Sequence, residues 1–292
     1  MLKLFFHLAA RLPLPVLHFA GALLGRLVYR FSPSWRAHLT ANLRQAGYHD
    51  DATRAAALRE AGKALTELPA VWLRVHADVA ALVRSVDGWQ HVETAQAVGT
   101  PIVFLTPHLG CFEITAQYYA YRTRADKPIT VLYRRPRKAA LTPLIESGRG
   151  RTNMRLAAAD LSGVRALIRA LRQGEAAGLL PDQTPDLGEG VWAPFFGRPA
   201  YTMTLVKRLV RASGATILLA YAERLPRGGG YRLSIRPFSG VLAEDLVAAT
   251  TQINAALEDL IRACPAQYLW SYDRYRQPRA VARGGNGTPT AS

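Results

Sequence analysis

Two cysteines in 292 residues, Cys111 and Cys264, are too few for a disulfide framework, and a reducing, cytosol-facing compartment is the expectation. No Cys/His cluster has zinc spacing, no Gly-rich Walker loop occurs and no GxGxxG follows a strand-like run, so no metal and no cofactor are expected. Acidic residues are scarce, with 21 Asp plus Glu against 37 Lys plus Arg and a net charge of +16. Such a chain seeks an anionic partner: phospholipid surface, phosphorylated glycolipid, acidic protein or nucleic acid. Nucleic acid is disfavoured, since no helix-turn-helix, zinc finger or RNP-like aromatic strand is present to contact bases. Internal repeats are also absent, and the length suits one large α/β domain.

The shortage of acids is complete in the first 31 residues, MLKLFFHLAARLPLPVLHFAGALLGRLVYRF. From Leu12 to Val28 only His18 and Arg26 interrupt apolar or small residues, a run marginal beside the roughly 20 needed to span hydrocarbon. Spanning the membrane and lying in its interface both remain open, and the bland alternative is a buried core helix. RLVYRFSPSWR follows Gly25 where a secretory leader would have a small-residue cleavage site, so residues 1–31 are read as a retained anchor. Arg26, Arg30 and Arg36 would keep the body cytoplasmic.

Among what is present, PIVFLTPHLGCFE from Pro101 to Glu113 organises the rest. Ile102 to Leu105 read as a short buried strand, Pro107 stops it, Gly110 permits a tight turn with close approach of a ligand, and a helix opens at Cys111. On one continuous helix, positions five apart point about 140° away from each other. With His108 in the loop and Glu113 in the first helical turn, the carboxylate can instead hold one ring nitrogen and leave the other as a base. The bland alternative is a hydrogen-bonded loop histidine and an acid complementing the helix dipole.

A helical region spans Ser34 to about Val75, with Asp50 or Asp51 as a cap. After the histidine corner come a strand, PITVLYRR, and a basic stretch with ten Lys or Arg and two acids between Arg122 and Arg155. Arg134, Arg135, Arg137 and Lys138 follow directly on that strand, and strand carboxyl ends in open α/β sheets converge on one crevice. Phosphate recognition is favoured there over a solvated face. The β-α-β rhythm continues through DLSGVRALIRALRQGE and AAGLLPD. A Pro/Gly-rich connector from Asp182 and Gln183 to Thr202 then carries Trp192, Phe195 and Phe196, enough apolar area to cover something apolar, or else to cap a static core. Helix, strand, turn, strand and a long helix from Glu244 to Ala263 complete the pattern, and residues 279–292 read as a disordered tail behind a 32–278 catalytic domain.

Five stretches together resemble the bacterial lipid A biosynthesis acyltransferases, the lauroyl and myristoyl enzymes of the wider glycerolipid acyltransferase superfamily. These are the anchor followed by WRAHLTANL, His108 to Glu113, YRRPR from Tyr133 with the later GRGR, DQ at 182–183 leading to FFGRPAYT, and PAQYLWSYDRYR. Leu109 stands where an aromatic is common, and the usual Phe-Pro after Asn42-Leu43 is missing. The resemblance implies a mixed, mostly parallel sheet flanked by helices, with an N-terminal membrane-associating helix. It implies transfer of a fatty acyl chain from acyl carrier protein, or coenzyme A, to a hydroxyl of an anionic glycolipid at the cytoplasmic face of the bacterial inner membrane. His108 would be the general base and Glu113 its orienter, with Gly110, Arg134, Arg135, Arg137, Asp182, Gln183, Phe195 and Phe196 on substrate. The thioester oxyanion would meet the N–H groups near Gly110 and Cys111, or Arg135. Rival readings are an acyltransferase for another membrane lipid and a non-catalytic lipid-binding protein.

Overall fold

The computed structural model describes residues 2–123, 125–135 and 142–278. Two helices, α1 (Leu2–Arg11) and α2 (Leu14–Phe31), meet at Pro13, which lacks the N–H to continue the first. Then come α3 (Pro33–Gln45), α4 (Asp51–Thr66), α5 (Leu68–Leu73) and α6 (His76–Ala80). Next follow β1 (Val83–Asp87), α7 (Trp89–Ala97), β2 (Ile102–Leu105), α8 (Phe112–Arg122), β3 (Ile129–Tyr133) and α9 (Thr142–Arg149). After these lie β4 (Met154–Ala158), α10 (Leu161–Arg172), β5 (Ala176–Leu179), β6 (Gly190–Phe195) and β7 (Arg198–Met203). The described chain closes with α11 (Leu205–Ser213), β8 (Thr216–Arg224), β9 (Tyr231–Pro237) and α12 (Leu246–Ala263). Asp50, Asp160 and Asp245 cap α4, α10 and α12 by accepting backbone N–H groups of the first turn.

Seven strands form one sheet in the order β1-β9-β8-β2-β5-β3-β4, parallel throughout except for the β8–β9 hairpin. The expected mixed, mostly parallel architecture flanked by helices is what the chain adopts. β2, β3, β4, β5 and β8 therefore end at the same edge, which brings the residues after each into one crevice.

Side chains alternate across each strand, so the central strands β2, β3, β5 and β8 feed two cores. Val103, Leu105, Leu179 and Leu219 join α3, α4, α10, α11 and α12 on one face. Ile102, Phe104, Ile129, Val131 and Ile235 meet α5, α7 and α8 on the other.

The expected connector across 183–202 contains a hairpin, β6–β7. Its two-residue turn, Phe196-Gly197, has positive φ at both positions, 46° and 74°, the conformation that suits a twisted two-residue hairpin. Phe196 accepts the uncommon backbone conformation for a non-glycine residue, and its ring is buried against Phe195 and Trp270.

The amino-terminal helices are seated on the body. Where α2 crosses α4, a Cβ at Gly25 would lie 2.0 Å from the Leu58 carbonyl oxygen and one at Gly62 only 1.9 Å from that of Gly21. Backbone meets backbone there, which no larger residue permits. The outward faces stay bare, with Leu4 and Phe5 each 64% exposed and Phe19 and Phe31 each 74%. Among the described residues no helix is long and apolar enough to cross a membrane. The tail expected over 279–292 lies outside the described residues.

Candidate active site

β2 ends at Leu105, and the turn through Pro107 carries His108 onto the crevice. The carboxyl-terminal segment straps this turn: the Leu269 N–H donates to the His108 carbonyl at 3.0 Å, and the Gly110 N–H to that of Gln267 at 3.0 Å. Gly110 sits at φ 59°, and a Cβ there would lie 2.0 Å from the Ala222 carbonyl oxygen. The tight turn expected of this glycine is present, but what approaches it closely is β8 rather than a ligand, and Gly110 lies outside the cavity lining. Its carbonyl accepts Arg224 at 2.7 Å.

His108 is oriented by Asp182, not by Glu113. The Nδ1–H donates to Asp182 Oδ1 at 2.8 Å while the His108 backbone N–H donates to Oδ2 at 2.9 Å. Asp182 follows β5, the strand beside β2, so a pair 74 residues apart in sequence shares one crevice. Burial alone would raise the Asp182 carboxyl, but its interactions with His108, through the ring and the backbone N–H, and with Arg274 nearby hold it below the ordinary value. The Gln183 amide donates to Nε2 at 3.1 Å, which leaves that nitrogen with the lone pair, as a base requires.

Glu113 takes a different partner. From the first turn of α8 it receives Arg149 of α9, Nε to Oε2 at 2.9 Å and Nη2 to Oε1. Arg149 also stacks over Trp72, 5.5 Å from the ring centroid. The sequence offered Arg149 only as part of GRGR, and nothing local announced its carboxylate. Five-residue spacing placed His108 and Glu113 around one turn but did not decide which acid the ring would face.

A cavity of about 530 Å³ opens beside His108, Glu113, Arg149 and Gln183. It runs under α8, between Ala116 and Tyr119 above and Phe104, Gly178 and Ala220 of the sheet below, and reaches Trp89. Arg134, after β3, lines the mouth and pairs with Asp186 at 3.5 Å. Arg135 is exposed at the same strand end, and Arg137 lies outside the described residues. Phe195 and Phe196 are buried in the opposite core with Tyr268 and Trp270, away from the cavity lining. Their apolar area is spent on packing there. Trp192 is 41% exposed on the hairpin and also outside the lining.

Two oxyanion donors suggested by the sequence are already committed: the Gly110 N–H to Gln267, and the Cys111 N–H to the Ala222 carbonyl at 2.8 Å. The Cys111 thiol is pushed well up, by burial first and by Glu67 next, which makes it a poor nucleophile. Behind the turn, Glu67 receives Arg224 Nε at 2.8 Å, Nη2 at 2.6 Å, Tyr231 at 2.9 Å and His18 of α2 at 3.1 Å. No group of three or more His, Cys, Asp or Glu that could hold a metal ion occurs among the described residues.

The family model described as bacterial lipid A biosynthesis acyltransferase matches residues 2–277. The lipid A biosynthesis lauroyltransferase of Escherichia coli (strain K12) is 26% identical over 282 residues, covering 94% of this chain and 90% of that protein. The lipid A biosynthesis palmitoleoyltransferase of the same strain is 26% identical over 272 residues, 91% of this chain and 87% of the relative. A lipid A biosynthesis acyltransferase of Haemophilus influenzae is 25% identical over 183 residues, 63% of this chain and 56% of its own.

Proposed function

The chain belongs to the bacterial lipid A biosynthesis acyltransferase family and is an acyltransferase, and on that premise we propose that it moves a fatty acyl chain from an acyl thioester to a hydroxyl of a lipid A precursor, with His108 as general base. The observation that carries this reading is the contact of His108 Nδ1 with the buried Asp182, which leaves Nε2 on the side of Gln183 in a largely apolar cavity. The donor is acyl carrier protein or coenzyme A.

The acceptor hydroxyl takes the place of the Gln183 amide at Nε2. As its proton passes to the imidazole, the oxygen attacks the thioester carbonyl. Asp182 holds the tautomer and stabilises the imidazolium. On collapse of the tetrahedral intermediate the C–S bond breaks, and the imidazolium returns its proton to the leaving thiolate. A positioned base of this kind contributes about 10²–10⁴-fold. Arg134 and Arg149, both on the cavity wall, supply positive charge to the oxyanion and to acceptor phosphates. Glu113 fixes Arg149 in that wall.

The acyl chain occupies the space under α8. Meanwhile the bare faces of α1 and α2, with Arg11, Arg26 and Arg30, lie in the interface of the cytoplasmic leaflet, where the acceptor resides. Phe19→Glu with Phe31→Glu should release the protein from anionic vesicles, and full retention would refute this placement. The decisive test of the reaction is reconstitution with acyl carrier thioester and lipid A precursor, read by mass spectrometry. Acylated lipid A that disappears in His108→Ala is the expected result; an unchanged yield in that variant would remove the proposed base, and acylation of another lipid instead would move the acceptor.

A further inference from the structure

α10 and α11 carry six cations between them, Arg165, Arg169, Arg172, Lys207, Arg208 and Arg211, and no acid. Lys207 is spent on the carbonyls of Ala243 and Glu244. The five arginines are exposed. On α10 they recur at intervals of four and three and so share one face, about 10 Å long at 1.5 Å per residue. Arg208 and Arg211 make a second row three apart on the neighbouring helix.

Among the described residues none of these five has a carboxylate within ion-pair distance, whereas Arg149, Arg155, Arg224 and Arg232 all do. Both helices begin at the cavity: Leu161 and Val164 of α10, and Leu205 and Arg208 of α11, line it. Leu161, one turn ahead of Arg165 on the same face, is 74% exposed.

We propose that the paired outer faces of α10 and α11 are the landing surface for an acidic carrier protein that delivers the acyl chain as a thioester. This rests on the acyl-transfer reading above. Unpaired guanidinium rows match an acidic helix, Leu161 offers it an apolar contact, and the rows lead to the cavity into which a tethered thioester must reach. A membrane is the less suitable occupant, because the apolar faces that suit a bilayer belong to α1 and α2, carried by α5 and α4, while α10 packs on β3, β4 and β5.

The test is a charge reversal, Arg165→Glu with Arg169→Glu and Arg172→Glu, in the full chain. Binding of fluorescently labelled acyl carrier protein is followed by anisotropy, alongside steady-state kinetics and the thermal midpoint. Kd and KM for the carrier-bound donor should rise by at least about tenfold, with kcat within about twofold and the midpoint held, and high salt should narrow the difference from wild type. Carrier variants with surface acids changed to Lys should bind the reversed protein better than they bind wild type. Unchanged Kd and KM would overturn the proposal, as would lost binding to anionic vesicles with carrier binding intact, which would assign the ridge to the membrane. Kd is measured without turnover, so a chain that failed to acylate lipid A would sink the functional reading while leaving this test decisive.

Discussion

The two faces of the sheet are made by alternate residues of the same strands, yet one is filled and the other hollow. On the filled face Leu105, Leu179 and Leu219 meet helices α10 to α12, and the hairpin adds Phe195 and Phe196. On the hollow face the central strands offer Gly178 and Ala220, and about 530 Å³ stays open beneath α8. Along β5, Gly178 leaves room on the hollow face, while Leu179, one residue on, packs into the opposite core and also borders the cavity. The acids at the seam follow the same division. Asp182 is sealed in near Tyr268 and Arg274 and grips His108, while Glu113 faces the cavity with Arg149. A buried, fixed acid suits orienting a base, whereas a cation on the cavity wall suits meeting a substrate.

The sharpest way to break this comparison is to exchange the acids. Asp182→Asn should lower kcat by about 10²–10⁴-fold with the fold retained, because an amide cannot compensate the imidazolium. Near wild-type turnover in that variant, with Glu113→Gln inactive, would return the orienting role to the hollow face.

Filling differs from lining in what a truncation costs. Phe195→Ala should destabilise the protein by about 3–5 kcal/mol in denaturant unfolding and leave the ranking of acyl donors unchanged. A changed ranking at wild-type stability would instead put Phe195 back on the substrate.

Glu67, behind the turn, is raised by burial, but the charge of Arg224 and bonds from His18 and Arg224 outweigh this and bring it from 4.5 to about 2. Because the folded value lies below the unfolded one, its contribution is present above pH 4.5 and is lost as pH falls towards 2. Glu67→Gln should flatten the acid limb of a stability–pH curve, and an identical limb would show that other carboxylates carry it.

The smallest effect belongs to the cavity floor. A Cβ at Gly178 would meet Val131 Cγ2 at 3.4 Å, an ordinary contact, so Gly178→Val should fold. Occupying the channel should shift preference among C10 to C16 donors towards shorter chains by roughly tenfold, at ~0.8 kcal/mol for each methylene displaced. An unshifted ranking would place the acyl chain elsewhere.

Much of this was legible locally. The β2 strand, the turn at Gly110, the cap at Asp50 and the β-α-β rhythm all follow from neighbouring residues, because breakers, β-branched runs and capping side chains act within a few positions. His108 was found for the same reason, as a histidine placed just past a buried strand. The hairpin was missed, since Phe196-Gly197 lacks the usual turn residues and the burial of Phe196 sustains it only in the folded chain.

The sequence by itself determined strands β2, β3, β5, β8 and β9, the basic charge, the apolar amino terminus and the place of His108 at a strand's end. Only the tertiary structure decided which acid faces His108, which arginine pairs with Glu113, and which apolar residues stay clear of the cavity. Those outcomes depend on strand order: placing β5 beside β2 sets Asp182 against His108 across 74 residues, a distance no local pattern encodes.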